Sequence, residues 1–386
     1  MRRAPRGNVL PAVVPDPLRP ILALLLAAAT LLAGCGTVGQ GAGDASAVDA
    51  TQDAVSAEPQ PPLDANLFVL DPNRGVVGEL QVTVAREEDT FVEFARTYGL
   101  GFDELAAANP EVDPWLPGAG TTIVLPTRFL LPRAPREGIV LNVATKRLFF
   151  FPPAVPGVPA IVQTYPIGIG RTGWSTPTGE TSVTGKARDP VWYVPASVRE
   201  EHAAMDDPLP AQVPPGPDNP LGNRVLQLGL PGYLIHGTNK PAGVGMRVSH
   251  GCVRLFPEDI EYLFDQVPTG TPVRIVNQPV LLARDDVDLL LEVHPPLEES
   301  ADSWVDDLPP RLERARASLG DSEVAIDSSR VDDILAQARG FPVSILAGGK
   351  DTAAQLRGAR RVENVIVYEQ PIEVAGYEQP AEVIAP

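Results

Sequence analysis

The sequence predicts a mostly β protein. Its largest domain is sandwich-like or barrel-like, with a small α+β (strand–helix–helix–strand) module before it and a small C-terminal α/β appendage after it. Short runs of β-branched and aromatic residues, separated by Gly and Pro, recur over residues 136–277. The 43 Pro and 34 Gly are about a fifth of the 386 residues, which favours turns over long helices. Because the only cysteines are Cys35 and Cys252, the chain is not a disulfide scaffold.

Length and charge limit the function classes. The 386 residues leave room for two or three small domains. Lys and Arg total 31 against 49 Asp and Glu, and the net charge is −18. A protein that follows a phosphate backbone needs a basic surface, so nucleic acid is excluded as a partner.

The N-terminus has the pattern of an export signal. Basic residues precede an uncharged run of 12 residues, 21–32, which suits a signal peptide but is shorter than the ~20 residues that span a bilayer. The run ends in Leu-Ala-Gly-Cys at 32–35, which resembles the lipobox of bacterial lipoproteins. This resemblance implies that residues 1–34 are removed, that Cys35 is lipidated, and that Gly36 directs the periplasmic protein to the outer membrane.

Residues 35–63 are rich in Gly, Ala, Ser and Pro and predict a flexible linker.

In residues 80–126, an alternating strand pattern is followed by Thr90 and Glu93 at capping-box spacing, which predicts a helix start. A second short helix and a returning strand complete the module. This order resembles a LysM module, a family that binds the N-acetylglucosamine-containing glycan of cell walls.

Within the strand-rich domain 136–277, six prolines in Pro208–Pro220 predict a stiff loop or lid. Residues 278–345 contain one strand pattern and one amphipathic helix pattern and predict the appendage. Residues 346–386 are polar and without periodicity, which predicts a disordered tail.

Two of the four histidines, His236 and His250, lie within 16 residues of Cys252. A thiol becomes a strong nucleophile when imidazolium and arginine charges favour its thiolate, and Arg254 adds such a charge. If this segment is extended, successive side chains on one side are about 6–7 Å apart, too far for proton transfer from His250. His236 is therefore the predicted general base, and His250 positions the substrate or polarises its carbonyl. The amides of Gly251 and Cys252 are predicted to stabilise the oxyanion.

The segment from His236 to Arg254 contains three cations and no Asp or Glu. It therefore predicts a site for an acidic substrate. The predicted substrate-binding residues are Arg254, Arg247, Lys240, Ser249 and Thr238.

At these residues the sequence resembles the L,D-transpeptidase family with a YkuD-type catalytic domain, in its lipoprotein-anchoring branch. The resemblance rests on His236-Gly237-Thr238 and on Ser249-His250-Gly251-Cys252 followed by Arg254. It implies that Cys252 is the nucleophile and His236 the proton donor and acceptor. The implied reaction cleaves diaminopimelate–D-Ala in a peptidoglycan tetrapeptide stem through a Cys252 thioester. The acyl group then passes to an amine, either a second stem in a 3→3 cross-link or a lysine of an outer-membrane lipoprotein. No cofactor or metal is implied.

The sequence is also compatible with three alternative functions. A zinc site formed by His236, His250 and Cys252 would have acceptable ligand types, but no carboxylate partner or Cys-x-x-Cys spacing accompanies them. A non-catalytic wall-binding lipoprotein would combine glycan binding with a lipid anchor. An L,D-carboxypeptidase would use water as the acyl acceptor.

Overall fold

The computed structural model describes residues 66–318 and 325–368, which belong to one compact unit, Ala57–Pro386. The predicted signal peptide 1–34, the lipidation site Cys35 and the linker 35–63 lie outside the described residues, as do residues 369–386. None of the described helices combines the length and the hydropathy needed to cross a bilayer.

Strands dominate the described residues, which confirms the predicted mostly-β class. The strands are β1 Leu67–Val69, β2 Val76–Gly78, β3 Gln81–Val84, β4 Thr122–Leu125, β5 Arg128–Leu130, β6 Gly138–Asn142, β7 Arg147–Phe151, β8 Ile161–Pro166, β9 Ile169–Gly170, β10 Gly179–Arg188, β11 Trp192–Tyr193, β12 Gln212–Val213, β13 Arg224–Leu228, β14 Leu234–His236, β15 Arg247–Ser249, β16 Val253–Arg254, β17 Pro272–Val276, β18 Val280–Asp285, β19 Asp288–Val293, β20 Val343–Ser344 and β21 Arg360–Arg361. The α-helices are α1 Phe91–Thr97, α2 Phe102–Ala108, α3 Ala196–Ala204, α4 Pro257–Gln266, α5 Leu308–Ser318, α6 Ser328–Gln337 and α7 Thr352–Arg357. Two 3-10 turns lie at Pro241–Gly243 and Glu298–Ser300.

The unit from β3 to β4 has the strand–helix–helix–strand order predicted for residues 80–126, and its two strands pair antiparallel. Helix α1 begins with the predicted capping box. Thr90 Oγ1 accepts from the backbone N–H two residues on at 3.2 Å, and Glu93 accepts from the Thr90 N–H at 3.2 Å. Asn109, after α2, is buried and exchanges two hydrogen bonds with the backbone of Val124, so it ties the helix to β4.

The largest sheet is curled and has nine strands in the order β1-β8-β7-β6-β17-β10-β13-β14-β16. Helix α4 packs against it through Ile260, Leu263 and Phe264, which share one apolar core with the sheet. At one edge, β14 and β16 pair in parallel, with His236 opposite Arg254. A parallel pair needs a crossover connection, and the short 3-10 turn and β15 lie in that crossover. The pairing brings the two predicted catalytic segments to one sheet edge.

An insertion, residues 189–222, separates β10 from β13, which are neighbours in this sheet. It contains α3 and the β11–β12 pair, where the sequence predicted a loop or lid at Pro208–Pro220. Asn219 is fully buried and holds the insertion together. Its Nδ2 donates to the Pro190 carbonyl at 2.8 Å, and its Oδ1 accepts from the Leu221 N–H at 2.9 Å.

The C-terminal region 278–345 contains a three-stranded sheet, β18-β19-β20. Helix α6 buries Val331 and Ile334 in one core with Leu289 and Leu291 of β19. The strand and the helix that the sequence predicted in this region are both present.

The prediction of a disordered tail is wrong for residues 346–368. Strand β21 pairs in parallel with β3, and Val362 and Ile366 are buried against the apolar side of α1. Tyr98 Oη donates to the Glu363 carbonyl at 2.7 Å, across 265 positions of sequence. Two buried side chains in a short extended stretch leave no periodic pattern, so local sequence could not predict this docking.

Replacing Ile366 by alanine is expected to lower the free energy of unfolding by about 2–5 kcal/mol, because it empties a buried apolar position. Val367 provides the matched control, since it is the next residue and is 86% exposed. Urea denaturation of both alanine variants measures the difference. An equal effect at the two positions would contradict the docked C-terminal segment.

Candidate active site

Cys252 lies immediately before β16, at the end of a tight turn that two hydroxyl groups shape. Ser249 Oγ donates to the Cys252 carbonyl at 2.6 Å and accepts from the Gly251 N–H at 3.1 Å. Thr176 Oγ1 donates to the Gly251 carbonyl at 2.9 Å. Gly251 has a φ of +102°, so residues 250–254 are not extended throughout, which was the condition of the distance argument for His250. The segment becomes a strand only at β16.

Replacing Gly251 by alanine is expected to slow acylation of Cys252 about 100-fold, because the turn that places the thiol would shift. A Cβ there would lie 2.9 Å from Tyr233 Cε1, in a backbone region that L residues rarely adopt. The free energy of unfolding should fall by about 1–3 kcal/mol. Gly270→Ala is the control, since its φ is +93° but its Cβ would meet open space. Equal acylation rates in both variants would show that the contact with Tyr233 is unimportant.

His236 is buried at the end of β14. Its Nδ1 lies 2.6 Å from the Gly237 carbonyl, and a carbonyl can only accept, so Nδ1 carries the proton. Burial, followed by the positive charge of Arg254, lowers the pKa of His236 to about 3. At neutral pH the ring is therefore neutral, with Nε2 unprotonated and able to accept a proton.

Cys252 is partly exposed, and burial of its thiol raises the thiol pKa above its usual value. The Leu234 N–H and the charge of Arg254 act in the opposite direction. Sγ donates a long hydrogen bond of 3.6 Å to the Gly232 carbonyl, and among the described residues none joins it to the His236 ring. These shifts favour a neutral thiol and a neutral imidazole in the resting site over the imidazolium-supported thiolate that the sequence predicted.

Arg254 is the cation whose charge lowers the pKa of both His236 and the Cys252 thiol. Its backbone N–H and C=O pair with Gly168 at 2.9 and 2.8 Å. Within the described ranges its side chain has no ion pair, and Nε is buried without a hydrogen-bond partner. Burial lowers the pKa of Arg254, and Cys252 acts in the opposite direction. An unpaired, largely buried guanidinium favours a nearby anion, either the thiolate formed during attack or a substrate carboxylate.

One of the two amides predicted for the oxyanion is already used. The Gly251 N–H donates to Ser249, so it is not available. The Cys252 N–H makes no hydrogen bond within the part of the chain that the structure describes. Of these two amides, only the Cys252 N–H is therefore free beside the thiol.

The other predicted substrate-binding residues are placed differently. Ser249 is 1% exposed, and its hydroxyl serves the turn. Thr238 is also buried and accepts from the Lys240 N–H at 3.0 Å. Arg247 forms a two-contact ion pair with Glu299, at 3.1 Å in each contact. Lys240 alone of this group is exposed, and it has no ion pair among the described residues. Arg247, Ser249 and Thr238 are thus engaged within the protein.

His250 contacts residues that sequence reasoning missed. Its Nε2 lies 3.0 Å from Glu201 Oε2 and 3.1 Å from Arg171 Nη2, and Arg171 also pairs with Glu201. Trp174 packs edge-on against the ring at 5.0 Å between centroids. Glu201 belongs to α3 in the insertion, 49 positions before His250, and no motif in the sequence indicates it.

The described side chains do not support the alternative of a zinc site at His236, His250 and Cys252. In residues 66–318 and 325–368, no group of three His, Cys, Asp or Glu side chains is arranged to hold a metal ion.

Known proteins similar to this chain carry one family name. Residues 136–275 match the YkuD model, an L,D-transpeptidase catalytic domain. The chain is 41% identical over 291 residues to "Probable L,D-transpeptidase YcfS" of Escherichia coli K12, covering 74% of this chain and 89% of that protein. It is 43% identical over 261 residues to "Probable L,D-transpeptidase ErfK/SrfK" of Salmonella typhimurium LT2, covering 66% and 82%. The NMR structure of the catalytic domain of an E. faecium L,D-transpeptidase is 22% identical, with a TM-score of 0.28, covering 37% of this chain and 99% of that one. The chain therefore belongs to the L,D-transpeptidase family and is an L,D-transpeptidase.

Proposed function

We propose that this L,D-transpeptidase takes its acyl group from a peptidoglycan tetrapeptide stem and transfers it to an amine. The observation that carries the proposal is a partly exposed thiol beside one unpaired guanidinium, at a sheet edge that also holds a neutral, buried histidine. Arg254 and the exposed Lys240 supply positive charge for an acidic stem. The relatives' names give the reaction type, and the stem is our assignment.

The first half-reaction is acylation of Cys252. His236 Nε2 accepts the thiol proton as Sγ attacks the carbonyl of diaminopimelate, and the Cys252 N–H donates to the oxyanion. Arg254 stabilises the negative charge on sulfur while the proton moves. The tetrahedral intermediate then breaks its bond to nitrogen, His236 returns the proton to that nitrogen, and D-alanine leaves a thioester behind.

The second half-reaction transfers the acyl group. An acceptor amine attacks the thioester, loses its proton to His236, and releases the Cys252 thiol. An amine of a second stem yields a 3→3 cross-link, and a lysine of an outer-membrane lipoprotein yields attachment to the wall. Water as the acceptor would make the protein an L,D-carboxypeptidase.

Intact-mass measurement of residues 36–386 with a diaminopimelate-containing disaccharide tetrapeptide tests the proposal. That protein contains the whole compact unit Ala57–Pro386. The expected result is an adduct equal to the substrate minus D-alanine, with free D-alanine, and neither in Cys252→Ala. An unmodified thiol in a folded protein, or an adduct that persists in Cys252→Ala, would overturn it. Adding a candidate amine then identifies the acceptor.

A second proposed function is glycan binding by the LysM-like module, residues 80–126. Trp115 and Leu116 follow α2 and are 58% and 75% exposed. The Trp115 ring lies 5.5 Å from the Phe102 ring, which supports it from one side. An exposed, supported indole is suited to stacking on a sugar ring.

Replacing Trp115 by alanine is expected to weaken sedimentation with purified peptidoglycan sacculi about 10-fold, because the proposed stacking surface is lost. Tyr262→Ala is the matched control, since Tyr262 is an aromatic residue in α4 with 54% exposure. Acylation of a soluble tetrapeptide should not change in either variant. Equal sedimentation of the two variants would contradict the proposed role of Trp115.

We also propose a periplasmic location with a lipid anchor in the outer membrane, from the lipobox pattern at 32–35. Cys35 lies outside the described residues. Metabolic labelling with a fatty acid should mark the wild-type protein and not Cys35→Ala. Membrane fractionation of the labelled protein then distinguishes the outer from the inner membrane.

A further inference from the structure

We propose that Glu201 is a positioning residue that fixes the ring orientation and tautomer of His250, so that the insertion 189–222 is part of the active site. In this arrangement His250 offers the substrate a hydrogen-bond acceptor and accepts an N–H of the amine-bearing stem. The substrate half of this inference rests on the proposed function, while the tautomer can be measured without substrate.

The contacts of His250 Nε2 allow one of two tautomers. Glu201 Oε2 lies 3.0 Å away and a carboxylate only accepts, whereas Arg171 Nη2 lies 3.1 Å away and a guanidinium only donates. Nε2 can satisfy one of these groups at a time. Arg171 Nη2, which lies near His250, is also the nitrogen that forms the ion pair with Glu201. That nitrogen therefore already has Glu201 Oε1 as its acceptor, whereas Glu201 Oε2 has no donor among the described residues other than His250, which favours Nε2–H donating to Glu201.

The surrounding groups keep Glu201 charged and His250 neutral. The hydrogen bond from Arg171 lowers the pKa of Glu201. Burial lowers the pKa of His250, Glu201 acts in the opposite direction, and the charges of Arg171 and His202 act with burial. His202, on α3, is the second imidazole near this group, and its ring centroid lies 6.1 Å from that of His250. A neutral His250 has one N–H, and it is committed to Glu201.

Nδ1 is then the unprotonated nitrogen of His250, and it makes no hydrogen bond to the described residues. The ring can therefore accept from a substrate amide or ammonium, but it cannot donate to an oxyanion. Of the two roles that the sequence predicted for His250, this conclusion retains positioning of the substrate and excludes polarisation of its carbonyl. It also gives the two histidines complementary tautomers, with His236 held as Nδ1–H by a carbonyl and His250 held as Nε2–H by a carboxylate.

The position of Glu201 depends on how the insertion is anchored. The β11–β12 pair joins its two arms, and buried Asn219 contacts carbonyls at 190, 213 and 214. The neighbouring Glu200 is exposed and forms no ion pair with any described residue, so it provides a matched control on the same helix. The insertion thus places the Glu201 carboxylate beside His250, whereas the Glu200 carboxylate is exposed to solvent.

Nitrogen NMR of residues 36–386 with ¹⁵N-labelled histidine rings tests the proposal, with the four histidines assigned by substitution. We expect Nε2–H at His250 in the wild type and in Glu200→Ala. In Glu201→Ala we expect Nδ1–H, because Arg171 would then donate to Nε2. The tetrapeptide KM should rise about 10-fold in Glu201→Ala, while alkylation of Cys252 by iodoacetamide keeps its wild-type rate.

Nδ1–H at His250 in the wild type, or an unchanged tautomer in Glu201→Ala, would overturn the proposal. If Glu201→Ala fails to fold, Glu201→Gln serves instead, and there His250 should titrate at a lower pH because the carboxylate charge is gone. A wild-type protein with the expected tautomer but no tetrapeptide adduct would contradict the proposed function and leave the role of Glu201 intact.

Discussion

Replacing His236 by alanine is expected to slow acylation of Cys252 by about 10²–10⁴-fold, which is the usual contribution of a general base. The reason is specific to this site. Burial raises the pKa of the thiol, so little thiolate exists before attack, and the proton needs an acceptor. His250→Ala should have the smaller effect on acylation. Single-turnover mass measurements on both variants check the order, and the reverse order would show that His236 is not the base.

The same protonation states predict the pH dependence of acylation. His236 is in its base form above its pKa of about 3, and the thiol keeps its proton to above its usual pKa. We therefore expect acylation to vary little between pH 5 and 8. A bell-shaped profile centred in that range would instead indicate a thiolate–imidazolium pair.

The lowered pKa of His236 also predicts how stability varies with pH. The unfolded chain binds a proton at His236 near pH 6.5, whereas the folded chain does so only near pH 3. The contribution of His236 to stability is therefore complete above pH 6.5 and decreases as the pH falls toward 3. In His236→Ala this part of the pH dependence of the unfolding free energy should disappear.

Replacing Arg254 by methionine is expected to slow acylation about 100-fold, because it removes the cation that stabilises developing charge on Cys252. It should raise the pKa of the Cys252 thiol, and it should raise the pKa of His236, since the charge of Arg254 lowers both. The rate of iodoacetamide alkylation as a function of pH measures the thiol.

Arg247→Met is the matched control for Arg254. Both arginines lie in the cationic segment that the sequence predicted for substrate binding, but Arg247 is paired with Glu299. Its replacement should leave the pH dependence of alkylation unchanged. An equal shift in both variants would show that the unpaired state of Arg254 does not matter for the thiol.

Much of the candidate site was predictable from local sequence. Cys252 and His236 stand in short motifs beside strand patterns, and the parallel pair β14–β16 brings the two segments together. The strand–helix–helix–strand order of residues 80–126 was also predictable, because its capping box and apolar face are local signals.

Other features depend on contacts between distant segments. Glu299 reaches Arg247 across 52 positions, and Glu201 reaches His250 across 49. Neither carboxylate belongs to a motif. The charge of the segment from His236 to Arg254 therefore suggested three unpaired cations, whereas in the structure Arg247 is paired with Glu299. The docking of Ile366 beside α1 escaped prediction for the same reason.

The sequence by itself determined which atoms can react, since the thiol of Cys252 and the imidazole of His236 are properties of single residues in a recognisable order. The tertiary structure decided their protonation states and which cation stays unpaired. The physical reason is that pKa values depend on burial and on charges brought together by the fold, and neither can be read from residues adjacent in sequence.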